Sequence, residues 1–210
     1  AALFITIMAT FCVVAVGLTQ SGTYPQAIML FRKGFYQLVS GHTGTGFQTI
    51  YAGQFINEWN HFAMFGVICA MAFGGSVCST TGAIKMLRIG IIFKALIEDT
   101  KRIIMPERAI VVQKFHHIKE VFLEDRQVRT ALMITLAYLV LYALGAVVGM
   151  FYGYPFLNSL FESTSAAANV GLSCGVTSVG MPTALKFTYI FQMWAGRLEF
   201  MSVFTLIGFF

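Results

Sequence analysis

The chain has 210 residues, of which 57% are hydrophobic and 11% charged, whereas about a quarter of the residues in soluble globular domains carry charge. Mean hydropathy is +0.75, and with 21 Phe, 11 Met and four Pro the composition excludes a disordered tail, a collagen-like repeat and a disulfide mini-protein. The formal net charge of +5 is concentrated, because ten of the 14 Lys and Arg lie between Lys85 and Arg129. Six acids are interspersed there without the basic and aromatic interleaving of a nucleic-acid site, so the stretch reads as a solvated cytoplasmic loop of a membrane protein. The four Cys, at 12, 69, 78 and 174, have no metal-type spacing and read as buried free thiols.

In chain order, the first apolar run, 1–19, is long enough to cross about 30 Å of hydrocarbon. No basic stretch precedes it and no Ala-x-Ala site ends it, which argues against a signal peptide. Residues 26–40 form a shorter apolar stretch after Tyr24-Pro25. At 15 residues it is too short to span and reads as a re-entrant helix begun by the proline. A second crossing starts at Trp59, but 15 residues to Phe73 reach only about 22 Å, so the glycine-rich stretch 74–82 begins before the membrane is crossed. Gly74, Gly75 and Gly82 with Ser76, Ser79, Thr80 and Thr81 make a poor helix and a good water-lining loop. After the basic segment the order returns: a crossing over 130–150, a short helix over 156–167 behind Tyr154-Pro155, and a last crossing over 184–210. The chain stops inside that apolar run, and is expected to be part of a longer polypeptide.

The second half repeats the first. Laying residues 35–47 over 160–172 needs one constant offset of 125, which pairs Ser40 with Ser165 and Gly46 with Gly171. An even number of crossings separates equivalent points, so the duplication is parallel rather than inverted. Each copy places a short helix and a glycine turn at membrane depth, where exposed carbonyls are tolerated only if buried in protein or lining water. A ring of such carbonyls replaces the hydration shell of a cation. One Gly-Thr-Gly turn would equally suit a plain helix end; two in register point to a pore. Arg197 lies 13 residues into the last crossing, at about the depth of the loop, and a lone arginine there must be paired or hydrated. Glu162, where the first copy has Gln37, suits either holding the turn from behind or capping. His42, just before the first turn, suits tuning an ion site, but capping the short helix or bonding locally is the preferred expectation.

Four runs carry a family resemblance. Thr43-Gly44-Thr45-Gly46-Phe47 resembles a filter run of threonines before Gly-Phe, and Asn169-Val170-Gly171-Leu172-Ser173-x-Gly175 is similar to a last filter in which Thr often replaces Asn169. Gly74-Gly75-x-x-x-Ser79-Thr80-x-Gly82-Ala83-Ile84-Lys85 and Gly196-Arg197-Leu198-Glu199 complete the set. Together they resemble the Trk/Ktr/HKT superfamily of potassium transporters, here the C-terminal half of the membrane subunit with its third and fourth repeats.

The resemblance implies an all-α membrane protein with two parallel repeats of outer helix, re-entrant pore helix, filter strand and inner helix, as in potassium-channel-like pores. The first repeat covers 1–97 (outer helix 1–19, pore helix 26–40, filter 43–47, interrupted inner helix 59–97). The cytoplasmic loop covers 98–129, and the second repeat covers 130–210 (outer helix 130–150, pore helix 156–167, filter 169–173, inner helix 184–210). The implied function is potassium uptake without covalent chemistry or cofactor. K⁺ would bind at Thr43, Gly44, Thr45, Gly46, Asn169, Val170, Gly171 and Leu172, above a gate of Gly74, Gly75, Ser79, Thr80, Gly82, Lys85 and Arg197. Glycine at both filter positions favours K⁺, since sodium-preferring relatives carry Ser in their first repeat.

The implied setting is the cell membrane, with 85–129 cytoplasmic. The implied partners are the missing N-terminal half or a second copy to complete the pore, a second full-length subunit in a homodimer, and a cytoplasmic nucleotide-binding ring, with no nucleic acid. The rival readings are a membrane-embedded enzyme using Cys174 or His42 and a non-conducting scaffold. For the enzyme, no acid, base and nucleophile recur at sensible spacings.

Overall fold

The computed structural model describes residues 2–75, 79, 81–104, 114–117, 119–122, 125–200, 202, 205, 208 and 209. It opens with α1 (Ala2–Ser21), a run of Leu, Ile, Val, Phe and Ala whose few hydroxyls fold back onto their own helix. Thr6 donates to Leu3 O at 2.9 Å and Thr10 to Thr6 O at 2.7 Å, so they cost little in an apolar setting. After Pro25 comes a continuous helical stretch: α2 (Ala27–Leu30), a π-helical turn over Phe31–Phe35, and α3 (Tyr36–Thr43). The wider turn accompanies a Phe31–Phe35 stack at 4.9 Å, with Phe11 of α1 edge-on to Phe35 at 5.2 Å.

Then follow α4 (Ala52–Asn57), α5 (His61–Ala72), α6 (Met86–Ile104), the hairpin β1 (Lys114–His117) and β2 (Lys119–Phe122), α7 (Asp125–Phe151), α8 (Phe156–Ala167) and α9 (Thr183–Arg197). Among the described residues, α1 from Leu3 to Ser21 and α7 are long and apolar enough to cross a membrane, and α5 is a shorter apolar helix.

Close helix contacts hold each half together. α5 packs on α1, with Gly66 against Val14, and α7 packs on α8, with Gly149 against Ser159. The latter contact uses the Gly145–Gly149 pair at the spacing by which small residues let helices approach. α5 also meets α8, and Phe55 and Phe161, both fully buried, lie 5.1 Å apart. The two short helices α3 and α8 are thereby joined through α5, which both contact, in one core that includes Leu38, Met64, Met71 and Leu172.

The structure corrects several expectations. The helix expected over 184–210 does not run through: α9 ends at Arg197, and Glu199 and Phe200 take φ of 54° and 58°. Long-range contacts compete with helix continuation there. The Glu199 carboxylate is held by Lys85 and Arg88, and the Phe200 ring sits edge-on to Tyr138 at 4.9 Å. The segment 98–129 is not simply a loop, since α6 runs into it and α7 starts at Asp125, an acid suited to a helix N-terminus.

Between these helices lies a short antiparallel hairpin, pairing Phe115 with Val121 and His116 with Glu120, in a chain that is otherwise helical. Cys12, expected buried, is exposed on α1, whereas Cys69 is half-buried and Cys174 buried; all three are free thiols. Cys78 lies outside the described residues.

Candidate functional site

α3 and α8 stop at turns built alike. Gly44 and Gly46 take φ of 72° and 76°, and Asn169 and Gly171 take 55° and 92°. Positions related by the offset of 125 make the same hydrogen bonds. Ser40 Oγ donates to Phe47 O at 2.7 Å and Ser165 Oγ to Leu172 O at 2.6 Å. Thr45 N reaches Ser40 O at 3.1 Å and Val170 N reaches Ser165 O at 3.0 Å. Thr49 N reaches Gln37 Oε1 at 3.2 Å and Cys174 N reaches Glu162 Oε1 at 3.0 Å. Each serine thus ties the far end of its turn to the short helix before it. Among the described residues, no hydrogen bond takes the carbonyls of Gly44, Thr45, Gly46, Asn169, Val170 or Gly171.

Glu162 holds its turn from behind rather than capping. It is buried and accepts from Ser173 Oγ at 2.6 Å, Cys174 N, Thr177 N at 3.3 Å and Thr177 Oγ1 at 2.8 Å. Glu162→Ala would strand these donors. It is expected to destabilise the full-length protein by about 3 kcal/mol or more, read as a clear fall in melting temperature, with Glu162→Gln milder. Equal melting of Glu162→Ala and the unmutated protein would show that the carboxylate supports nothing.

The two turns touch. A Cβ at Gly46 would overlap the Val170 carbonyl oxygen, while at Gly171 nothing lies within 4 Å. Beyond this contact Gln48 reaches across, its Nε2 donating to Ser173 O at 2.9 Å and its Oε1 accepting from Ser173 N at 3.3 Å. Val170 and Leu172 bury their side chains, whereas Thr43 and Thr45 are exposed, their hydroxyls 2.7 Å apart.

The described residues between α5 and α6, 73–75, 79 and 81–85, include several that meet the bases of both turns. Gly75 N donates to His42 O at 3.2 Å, Thr81 Oγ1 to Thr43 O at 3.1 Å, and Gly82 N to Ala168 O at 3.1 Å. Thr43 and Ala168 are themselves 125 apart, so the loop takes the equivalent carbonyl at the base of each turn. Gly82 also abuts Gly196, whose carbonyl accepts from Tyr138 OH at 2.9 Å, and Asn169, whose Nδ2 donates to Met193 O at 3.2 Å.

Of the residues expected below the turns, Gly74, Gly75 and Gly82 are therefore brought against them. Ser79 is half-buried, Thr80 lies outside the described residues, and Arg197 is the exposed last residue of α9, next to Gly196. Buried Lys85 is paired with Glu199, which Arg88 also contacts at 2.7 Å. His42 does not bond locally: its Nε2 lies 3.1 Å from Thr6 Oγ1 of α1, 36 residues earlier.

Sequence reasoning missed Gln48, Arg88, Tyr138 and the partners of Glu199. The only signal available for Glu199 was its place in the Gly-Arg-Leu-Glu run.

A predominantly helical chain whose two short helices halt at matched glycine turns above a broken helix has the layout of a membrane transport subunit. The chain belongs to the TrkH cation transport protein family, which matches residues 1–208. It is 33% identical over 173 residues to an uncharacterized cation transporter of Methanocaldococcus jannaschii, covering 82% of this chain and 35% of that protein. It is 26% identical over 187 residues to the Trk system potassium uptake protein TrkH of Escherichia coli, covering 88% and 36%. The crystal structure of the potassium transporter TrkH from Vibrio parahaemolyticus shares the fold, with a TM-score of 0.77 at 22% identity over 98% of this chain and 43% of that one. The chain thus spans 35–36% of the length of these curated relatives. The family is one of membrane transport proteins, not of enzymes.

Proposed function

We propose that this chain forms two of the four quarters of a potassium uptake pore, with the two turns as backbone-carbonyl filter strands and residues 74–85 with Arg197 as the gate beneath them. The observation that carries the reading is the pair of matched turns, meeting at Gly46 and Val170, whose carbonyls at 44–46 and 169–171 take no hydrogen bond among the described residues. A dehydrated cation needs such oxygens. The duplicated hydrogen bonds support parallel repeats of outer helix (α1, α7), pore helix (α2 to α3, α8), filter and inner helix (α5 with α6, α9). The second turn also borders a cavity of about 270 Å³ lined by Glu162, Asn169, Gly171, Tyr189 and Met193. That opening suits a further strand, supplied by the missing N-terminal half or by a second copy.

Potassium is the ion favoured, by the glycine at both filter positions and by the potassium uptake protein among the relatives. The full-length protein in proteoliposomes is expected to take up K⁺ and Rb⁺ well and Na⁺ poorly. Absence of any cation flux at normal reconstitution would leave a scaffold, and equal flux of all three would remove the filter.

The proposed setting is the cell membrane, as a homodimer of full-length subunits regulated by a nucleotide-binding ring on the basic segment 85–129. The orientation follows from the clustered Lys and Arg. A cysteine at Gln113 is expected to react with impermeant reagents only from the cytoplasmic side. Labelling of intact cells would invert the topology.

A further inference from the structure

We propose that Gln48 is a positioning residue for ion selectivity: its amide ties the two turn segments together and fixes the distance between their carbonyl rows. Positions 48 and 173 are 125 apart and so equivalent, yet their side chains do different things. Ser173 Oγ turns back to Glu162 Oε1 at 2.6 Å, whereas Gln48 crosses to the other segment. There it donates to Ser173 O at 2.9 Å and accepts from Ser173 N at 3.3 Å. One primary amide thereby imitates a paired strand residue, using donor and acceptor on the same backbone unit. Among the described residues these are the only hydrogen bonds from residues 43–50 to residues 168–178.

Both ends of the tie are anchored. Thr49 N, next to Gln48, is held by Gln37 Oε1 of α3, and Ser173 Oγ and Cys174 N are held by Glu162 of α8. The result is a continuous girdle from one short helix to the other, passing around the contact between Gly46 and Val170. Cation preference depends on how many carbonyls surround the ion and how firmly they keep their spacing. A girdle that resists inward collapse disfavours the smaller Na⁺ without touching the ion itself.

The inference rests on the filter reading above, so its test includes a filter variant. In proteoliposomes of the full-length protein, the K⁺/Na⁺ preference is measured for Gln48→Leu, which keeps bulk and loses both bonds. It is also measured for Gln48→Glu, which keeps the acceptor and turns a carboxylate oxygen toward Ser173 O, and for Gly171→Ser. Gln48→Leu is expected to lower the preference about three- to tenfold, the effect of losing one or two modest hydrogen bonds, with K⁺ flux still measurable.

Gln48→Glu is expected to lose preference at neutral pH and regain part of it as external pH falls toward the ordinary carboxyl range of about 4. A protonated carboxyl can donate to Ser173 O again. That pH-dependent recovery is something a purely structural role would not produce, and it stands even if Gln48→Leu fails to fold. Unchanged preference in both Gln48 variants beside a loss in Gly171→Ser overturns the role of Gln48 and leaves the filter intact. Unchanged preference in all three overturns the filter reading itself.

Discussion

Gly46→Ser is expected to cost at least tenfold in K⁺/Na⁺ preference and most of the K⁺ flux, whereas Gly171→Ser should cost only severalfold in preference and keep flux. Both glycines have positive φ, 76° and 92°, so any side chain pays about 1–2 kcal/mol of backbone strain at either place. Their surroundings differ. At Gly171 a Cβ would meet open space, but at Gly46 it would overlap the Val170 carbonyl oxygen and lie 3.1 Å from its carbon. That oxygen belongs to the neighbouring turn and is a proposed ion ligand. Serine at 46 must therefore rotate a ligand away or push the two turns apart against the Gln48 tie. An added 1.4 kcal/mol is already tenfold. Ion preference and Rb⁺ uptake of the two variants, at matched expression and similar melting temperature, give the ranking. Equal effects, or a worse Gly171→Ser, would mean that the contact between the turns does not shape the ion path.

The parts of this architecture that could be read from the sequence are those governed by local rules. Pro155 and the apolar stretch behind it predict a helix over 156–167, and α8 spans Phe156–Ala167. Glycines and hydroxyls after Phe73 predict a break, and no helix resumes among the described residues until Met86. The offset of 125 was legible because Ser40 and Ser165 each make a bond seven residues onward, to Phe47 and Leu172, a requirement contained in one short segment.

What escaped depends on partners far apart in the chain. The end of α9 at Arg197 follows from an ion pair between Glu199 and Arg88, 111 residues earlier, and no periodicity announces it. Gln48 sits in a turn where a polar side chain looks solvated, and its meaning depends on Ser173 lying opposite. The π-helical turn at Phe31–Phe35 likewise reflects packing on Phe11 rather than any local signal. The hairpin gives no local signal either: in Lys119–Phe122 two polar residues precede two apolar ones, so no alternation announces a strand.

Opening of the proposed gate should follow from removing either of two charges near the end of α9. Glu199 is shared by Lys85 and Arg88, whose side chains are 10% and 14% exposed. Glu199→Gln removes a countercharge that these two cations share, at a cost below the about 3–5 kcal/mol of a fully buried pair because Glu199 is itself 35% exposed, and the cations are then driven to find water. They can do so by displacing the start of α6, and Lys85 is three residues from Gly82. That movement would pull Gly82 N from Ala168 O and Thr81 Oγ1 from Thr43 O, freeing the carbonyls at the base of both turns. Arg197 acts in the same direction by another route: a guanidinium beside the proposed ion path repels a passing cation and can hold the loop carbonyls by charge-assisted bonds.

Arg197→Gln, Glu199→Gln and deletion of residues 75–79 are therefore each expected to raise K⁺ flux severalfold or more. The K⁺/Na⁺ preference should fall far less, since the carbonyls at 44–46 and 169–171 lie above the loop. Regulation by a cytoplasmic partner should weaken in the same variants, because the two-state element that it would bias has been removed. Uptake rate against melting temperature decides the matter. If Arg197→Gln lowers melting and leaves flux unchanged, the arginine is a packing residue and the gate falls while the pore stands. If Glu199→Gln alone raises flux, the latch lies in the grip of Glu199 on α6, and the loop follows that helix rather than the arginine.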